Sequence, residues 1–171
     1  GNDQVAVEWF QQAAGLGLAA AQNNLGVMYR HARGVERDDA AAVRWYRLAA
    51  TQGDPNAQNN LGFMLTCSQG VATDDEDAAM WYRKAAEQGH AVAQDNLGLL
   101  YAQGRGVEHD NKKAFEWYLK SAQQDDSSGQ YHLGSLYRLG AGTAADFEQA
   151  VHWLRKAAEQ DHAEAQAQLA Y

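Results

Sequence analysis

Apolar residues in this chain recur first with the period of an α-helix and then with a much longer one. Ala21, Leu25, Met28 and Tyr29 fall at i, i+4, i+7 and i+8, which places them on one stripe of a helix. Ala42, Trp45, Tyr46 and Ala49 repeat that spacing further along. The polar stretch Arg33-Gly34-Val35-Glu36-Arg37 separates the two stripes. Gly34 is suited to the left-handed conformation that closes a helix, and Asp38 to capping the unpaired N–H groups of the next one. The pattern predicts helices over residues 19–32 and 38–52. A connection this short turns neighbouring helices antiparallel. No stretch alternates β-branched and polar residues as a strand would, so none is predicted.

The longer period is 36 residues. Leu25-Gly26 returns as Leu61-Gly62, Leu97-Gly98 and Leu133-Gly134, and persists as Leu169-Ala170. The same step links all five tryptophans, Trp9, Trp45, Trp81, Trp117 and Trp153. It also links Asp38, Asp74, Asp110 and Asp146, and Gly34, Gly70, Gly106 and Gly142, the last group followed by Val35, Val71, Val107 and the exception Thr143. A fixed period of this length means stacked supersecondary units, each burying its apolar face against the next. The expected fold is all-α, an α/α superhelix (solenoid) of antiparallel helix pairs with a right-handed course. One solenoid over 1–171 divides into a second helix at 1–18, full repeats at 19–54, 55–90, 91–126 and 127–162, and the start of another at 163–171. Both ends are expected to be cut from a longer array, because neither has the polar cap with which solenoids finish. Gly26 and its equivalents cost about 1 kcal/mol each inside a helix, so they are read as places where a neighbour passes too close for a side chain. The tryptophans are read as core between helices.

Composition narrows the function. The formal charge of -8 and the pI near 5.1 exclude a nucleic-acid binder, which needs clustered Lys and Arg to neutralise phosphates. Membrane insertion is not expected, since no apolar run approaches the ~20 residues of a span, and no basic-then-apolar leader opens at Gly1. The compartment stays open between bacterial periplasm and cytoplasm. Cys67 is the only cysteine, so neither an intrachain disulfide nor a multi-cysteine zinc site can form. It is read as a small apolar filler on a helix.

The motifs A-x-A-Q-N-N-L-G-V-M-Y, R-G-V-E-R-D and A-x-x-W-Y-x-x-A-A-x-Q-G resemble the Sel-1-like repeat family, relatives of the tetratricopeptide repeats, over nearly the whole chain. The resemblance implies a protein-protein interaction scaffold. Departures gather in the fourth unit: Ser127, Ser128 and Gly129 at the first-helix start, Leu154 for the aromatic after tryptophan, and Asp125 and Asp161 for the terminal glycine. Some cysteine-rich members of that family are linked to β-lactam binding or hydrolysis, an alternative disfavoured by the absence of their paired cysteines. A structural spacer within a larger secreted or envelope protein is a third reading.

Nothing points to catalysis. Of the six histidines, His90 and His162 precede first helices in different units, His109 lies in a connection, His31 and His132 lie on first helices and His152 on a second, and they are not expected to converge. No H-E-x-x-H, G-x-S-x-G or S-x-x-K motif occurs. No catalytic residue, metal site or cofactor is therefore assigned. Columns that vary between repeats are better candidates, because stacking does not dictate them. They run across the first helices from the core stripe, and in the related tetratricopeptide fold this face lines the concave groove. The candidate partner-binding residues are Asn24, Val27, Arg30, His31, Asn60, Phe63, Asn96, Leu99, Tyr131, His132 and Arg138. An amide donates and accepts at once, so the asparagines either read the backbone of an extended peptide or brace adjacent helices. The expected partner is a protein or peptide, and the oligomeric state is left open.

Overall fold

A computed structural model describes residues 2–67, 70 and 72–169 of the protein. Val71 and Ala170 of the repeated columns lie outside the described residues. Ten helices and no strand occur among those described: α1 (Asn2–Gly15), α2 (Ala19–Arg30), α3 (Asp39–Thr51), α4 (Pro55–Thr66), α5 (Asp75–Glu87), α6 (Ala91–Gln103), α7 (Asn111–Ala122), α8 (Ser127–Leu139), α9 (Phe147–Glu159) and α10 (Ala163–Leu169). The chain forms two compact units, residues 1–85 and 86–171. In the first, α1 packs on α2, α2 on α3 and α3 on α4. In the second, each helix from α6 to α10 packs on the next, and α6 also meets α8.

Helix starts follow the predicted chemistry. The carboxylates of Asp38, Asp74 and Asp146 accept from the backbone N–H three residues on, at 2.7, 2.9 and 3.0 Å. Asp110 accepts from the N–H groups of Lys112 and Lys113, each at 3.0 Å. First helices are capped by a column the sequence reading passed over: Asp54 accepts from Ala57 at 2.8 Å, His90 Nδ1 from Ala93 at 3.1 Å, Asp126 from Gly129 at 2.8 Å and His162 Nδ1 from Ala165 at 3.4 Å. Satisfying one unpaired helical N–H in this way is typically worth about 1 kcal/mol.

The role expected of Gly34 needs correction. Gly104 and Gly140, both at φ 65°, close α6 and α8 in the left-handed conformation, and Ala32 holds the corresponding place after α2 at φ 54°. Gly34 is also left-handed, at φ 70°, but sits later in the connection. A Cβ there would collide with the carbonyl of Asp3, one on Gly70 with that of Asp39, and one on Gly142 with that of Asn111. At these three places the connection thus seats on the start of the preceding repeat's second helix.

A second correction concerns the aromatic core. The tryptophan column is graded: Trp81 is 5% exposed, Trp45, Trp117 and Trp153 are half-buried, and Trp9 is 66% exposed. The residue after each tryptophan lies deeper, with Tyr46, Tyr82, Tyr118 and Leu154 all buried. Burial raises the pKa of the Tyr118 phenol well above its ordinary value, and the charge of Asp95 raises it further. These side chains are what the packing glycines accommodate. A Cβ on Gly26 would lie 2.7 Å from the ring of Tyr46, on Gly98 2.7 Å from that of Tyr118, and on Gly134 2.9 Å from Leu154 Cγ.

The joints between repeats are polar as well as apolar. Gln22, Gln58, Gln94, Gln130 and Gln166 repeat every 36 residues, and each side-chain N–H donates to a carbonyl eight residues back, from Ala14, Ala50, Ala86, Ala122 and Ala158, at 3.0–3.4 Å. Gln22, Gln94 and Gln130 also accept from Gln52, Gln124 and Gln160, at 2.7–2.9 Å. Gln94 is buried, so Gln94→Met keeps its approximate volume while removing its bonds to the Ala86 carbonyl and to Gln124. We expect a loss of about 1–3 kcal/mol, about 0.5–1.5 kcal/mol for each hydrogen bond removed, read as a lower midpoint in urea unfolding. An unchanged midpoint would show that the ladder contributes nothing.

Candidate partner-binding face

In the first unit the variable face is built by α2 and α4. Asn24 is exposed, Val27, Arg30, Asn60 and Phe63 are half-buried, and His31 is exposed at the α2 C-cap. The Arg30 guanidinium lies over the Phe63 ring, 4.3 Å from its centroid. Stacking of this kind orders both side chains and leaves the guanidinium edge open to hydrogen bonding. Asn60 Nδ2 donates to Asn23 Oδ1 at 3.0 Å, so the bracing reading of the amides holds at this joint. The pKa of His31 is lowered, first by burial and then by the charges of Arg30, Arg33 and Arg37, with Asp39 opposing them.

In the second unit the face is built by α6 and α8. Asn96, Leu99, Tyr131 and His132 are half-buried, and Arg138 is exposed. His132 Nδ1 lies 2.7 Å from Asp95 Oδ1, taking the place of the asparagine pair of the first unit. The His132 ring stacks on Tyr118 at 4.8 Å, and Tyr131 stacks on His162 at 4.7 Å. Tyr131 also lies 5.2 Å from His132, and its hydroxyl accepts from Gln168 Nε2 at 3.2 Å. Two of the histidines expected to stay apart therefore flank one tyrosine. His90 and His162 act as helix caps through Nδ1, so their acceptor nitrogen is committed to the backbone. Cys67 is exposed at the α4 C-cap, not buried as a filler.

Asn23 and Asp95 share one column of this face and are the brace residues, although neither is among the candidate partner-binding residues. Both are buried. A signal existed: each is followed, 37 residues on, by a residue able to bond to it, Asn60 for Asn23 and His132 for Asp95.

Charge is distributed unevenly. Of the 22 acidic residues, Asp95 is the sole one on α2, α4, α6 or α8, and it is 6% exposed and paired with His132. Carboxylates otherwise occupy second helices, connections and the short α10. Within each unit the first helices thus present a nearly uncharged face, with Arg30 on it in the first unit and Arg138 in the second.

Short connections, capped helix pairs and a 36-residue stacking period define the chain as an all-helical repeat solenoid. The Sel1 repeat model matches residues 1–18, 19–54, 55–90, 91–126 and 127–162, and the chain belongs to the Sel1 repeat family. Members of this family are in general protein-interaction scaffolds. No match is found among curated proteins. Among solved structures, a protective antigen of uropathogenic Escherichia coli strains displaying this repeat fold is 42% identical, with a TM-score of 0.87, over 94% of this chain and 34% of its own. A Sel1 repeat protein from Oxalobacter formigenes is 33% identical, with a TM-score of 0.90, over 95% of this chain and 64% of its own. This chain therefore spans about a third of the first and under two thirds of the second. The cysteine-rich protein B of Helicobacter pylori shares the fold at 23% identity and a TM-score of 0.61, over 77% of this chain and 94% of its own.

Proposed function

We propose that the protein is a non-enzymatic binding module that takes a protein or peptide partner on the first-helix face. The observation that carries this reading is the charge distribution: on an acidic protein, the first helices of each unit form a nearly uncharged strip with half-buried apolar side chains. Such a strip loses little on desolvation, because few charges must give up their water. Phe63, ordered by Arg30, is the apolar anchor in the first unit, and Val27 is the equivalent residue on α2. Leu99 and Tyr131 play that part in the second. Asn60 gives one Nδ2 hydrogen to the joint, and its second N–H and Oδ1 are what it brings to a partner.

The β-lactam reading gains nothing from the fold, since Cys67 stands alone and the second unit's Asp95–His132 pair serves as a brace. The test is Phe63→Ala, titrated against a purified partner first recovered by affinity capture. Truncating an anchored aromatic commonly removes at least ~2 kcal/mol of binding. We expect an affinity loss of that order with the thermal midpoint held close to the parent's. Unchanged affinity for Phe63→Ala, together with a loss from Arg83→Ala on α5, would move the site to the second helices.

A further inference from the structure

The repeats supply an internal control for what stacking demands, because equivalent positions meet equivalent neighbours. On α3, Ala40, Arg44, Arg47, Leu48 and Thr51 fall at i, i+4, i+7, i+8 and i+11, which makes them one stripe, and all are exposed. Equivalent stripes on the other second helices each carry at least one carboxylate, from Glu8, Glu76, Glu87, Glu116, Glu148 and Glu159. The α3 stripe carries none. It differs in a second way. Lys84, Lys120 and Lys156 lie over the rings of Trp81, Trp117 and Trp153, at 4.3, 4.0 and 5.3 Å. At the position equivalent to those lysines, α3 has Leu48, which is 49% exposed.

The result is a shallow, open groove along α3 lined by Arg44, Arg47, Leu48 and Thr51, its surface mostly apolar. Arginine stems provide such a surface while their guanidinium groups stay at the rim. Arg47 reaches Asp77 of α5 at 3.4 Å, a long and exposed pair that competes weakly with an incoming carboxylate. An anionic partner is repelled by most of a protein of charge -8 and attracted where carboxylates are missing and arginines stand together.

We propose that this stripe of α3 is a docking surface for an acidic amphipathic segment of a partner protein, one apolar side chain set beside Leu48 and its carboxylates on Arg44 and Arg47. The surface is separate from the first-helix face and does not depend on it. The probe is a fluorescein-labelled helical peptide with Leu and Glu on one face, compared by polarisation with its Gln-for-Glu analogue on the intact chain. The Glu peptide is expected to bind at least about 10-fold tighter than the Gln peptide and to weaken with salt. Leu48→Lys, which installs the residue of the other repeats at an exposed site, is expected to weaken it by about 10-fold or more. Arg44→Gln with Arg47→Gln should abolish the Glu-over-Gln preference. Equal binding of the two peptides, or full affinity in Leu48→Lys, overturns the proposal. So does loss of peptide binding in Phe63→Ala alone, which would seat the peptide on the first-helix face and support the reading given there. Dodecanoate bound in a Leu48-dependent way without any peptide binding would assign the groove to a small amphiphile and equally overturn it.

Discussion

Gly62→Ala is expected to destabilise the protein, although the same change in an exposed helix would stabilise it by about 1 kcal/mol. The added Cβ would lie 2.8 Å from Tyr82 Cε1, 2.9 Å from Cδ1 and 3.1 Å from Cγ. Tyr82 is buried and has no room to withdraw, so the helices must part or the ring must leave its rotamer. Overpacking of this kind typically costs about 1–3 kcal/mol. Gly15→Ala provides the control, because nothing lies within 4 Å of the Cβ it would carry. Thermal melts should separate the two, Gly62→Ala falling and Gly15→Ala holding or rising. A rise in both would mean that the glycine column has no packing role.

The other large effect is expected from Trp81→Ala, at about 3–5 kcal/mol, the range for emptied aromatic core sites. Trp81 is 5% exposed, and the Lys84 ammonium sits over its ring at 4.3 Å. Truncation thus empties a packed site and uncovers the lysine stem. Trp9→Ala in the same column is expected to change stability by less than about 0.5 kcal/mol, because that side chain is already 66% exposed. Equal losses for the two in urea unfolding would contradict the graded burial.

The repeat was legible because stacking imposes the same chemistry at every turn of the array. Helix type, the Asp38 column of caps and the presence of packing glycines each follow from residues that recur at one spacing. What the glycines pack against was not legible, since Gly26 and Tyr46 belong to different helices and their meeting depends on how closely those helices approach. Gly34 was misjudged for a related reason: a left-handed backbone and a close contact with Asp3 ask for the same residue, and the sequence cannot say which applies. Tryptophan drew attention by its size, while the smaller tyrosine beside it proved the more deeply buried. Gln22 and its equivalents were in plain view, but a glutamine on a helix usually faces solvent. Burial here is tolerated because the carbonyls and amides of neighbouring helix ends satisfy it. On the candidate face the variable columns could be read, but their side-chain pairing could not. Asn60 turns toward Asn23 and His132 toward Asp95 because the joint offers each a partner.

Hydrogen–deuterium exchange of the chain with and without a captured, purified partner tests the central claim most directly. The account predicts added protection in peptides covering α2 and α4, or α6 and α8, with Phe63→Ala removing it from the first pair. Protection confined to the second helices α3, α5, α7 and α9 would contradict it.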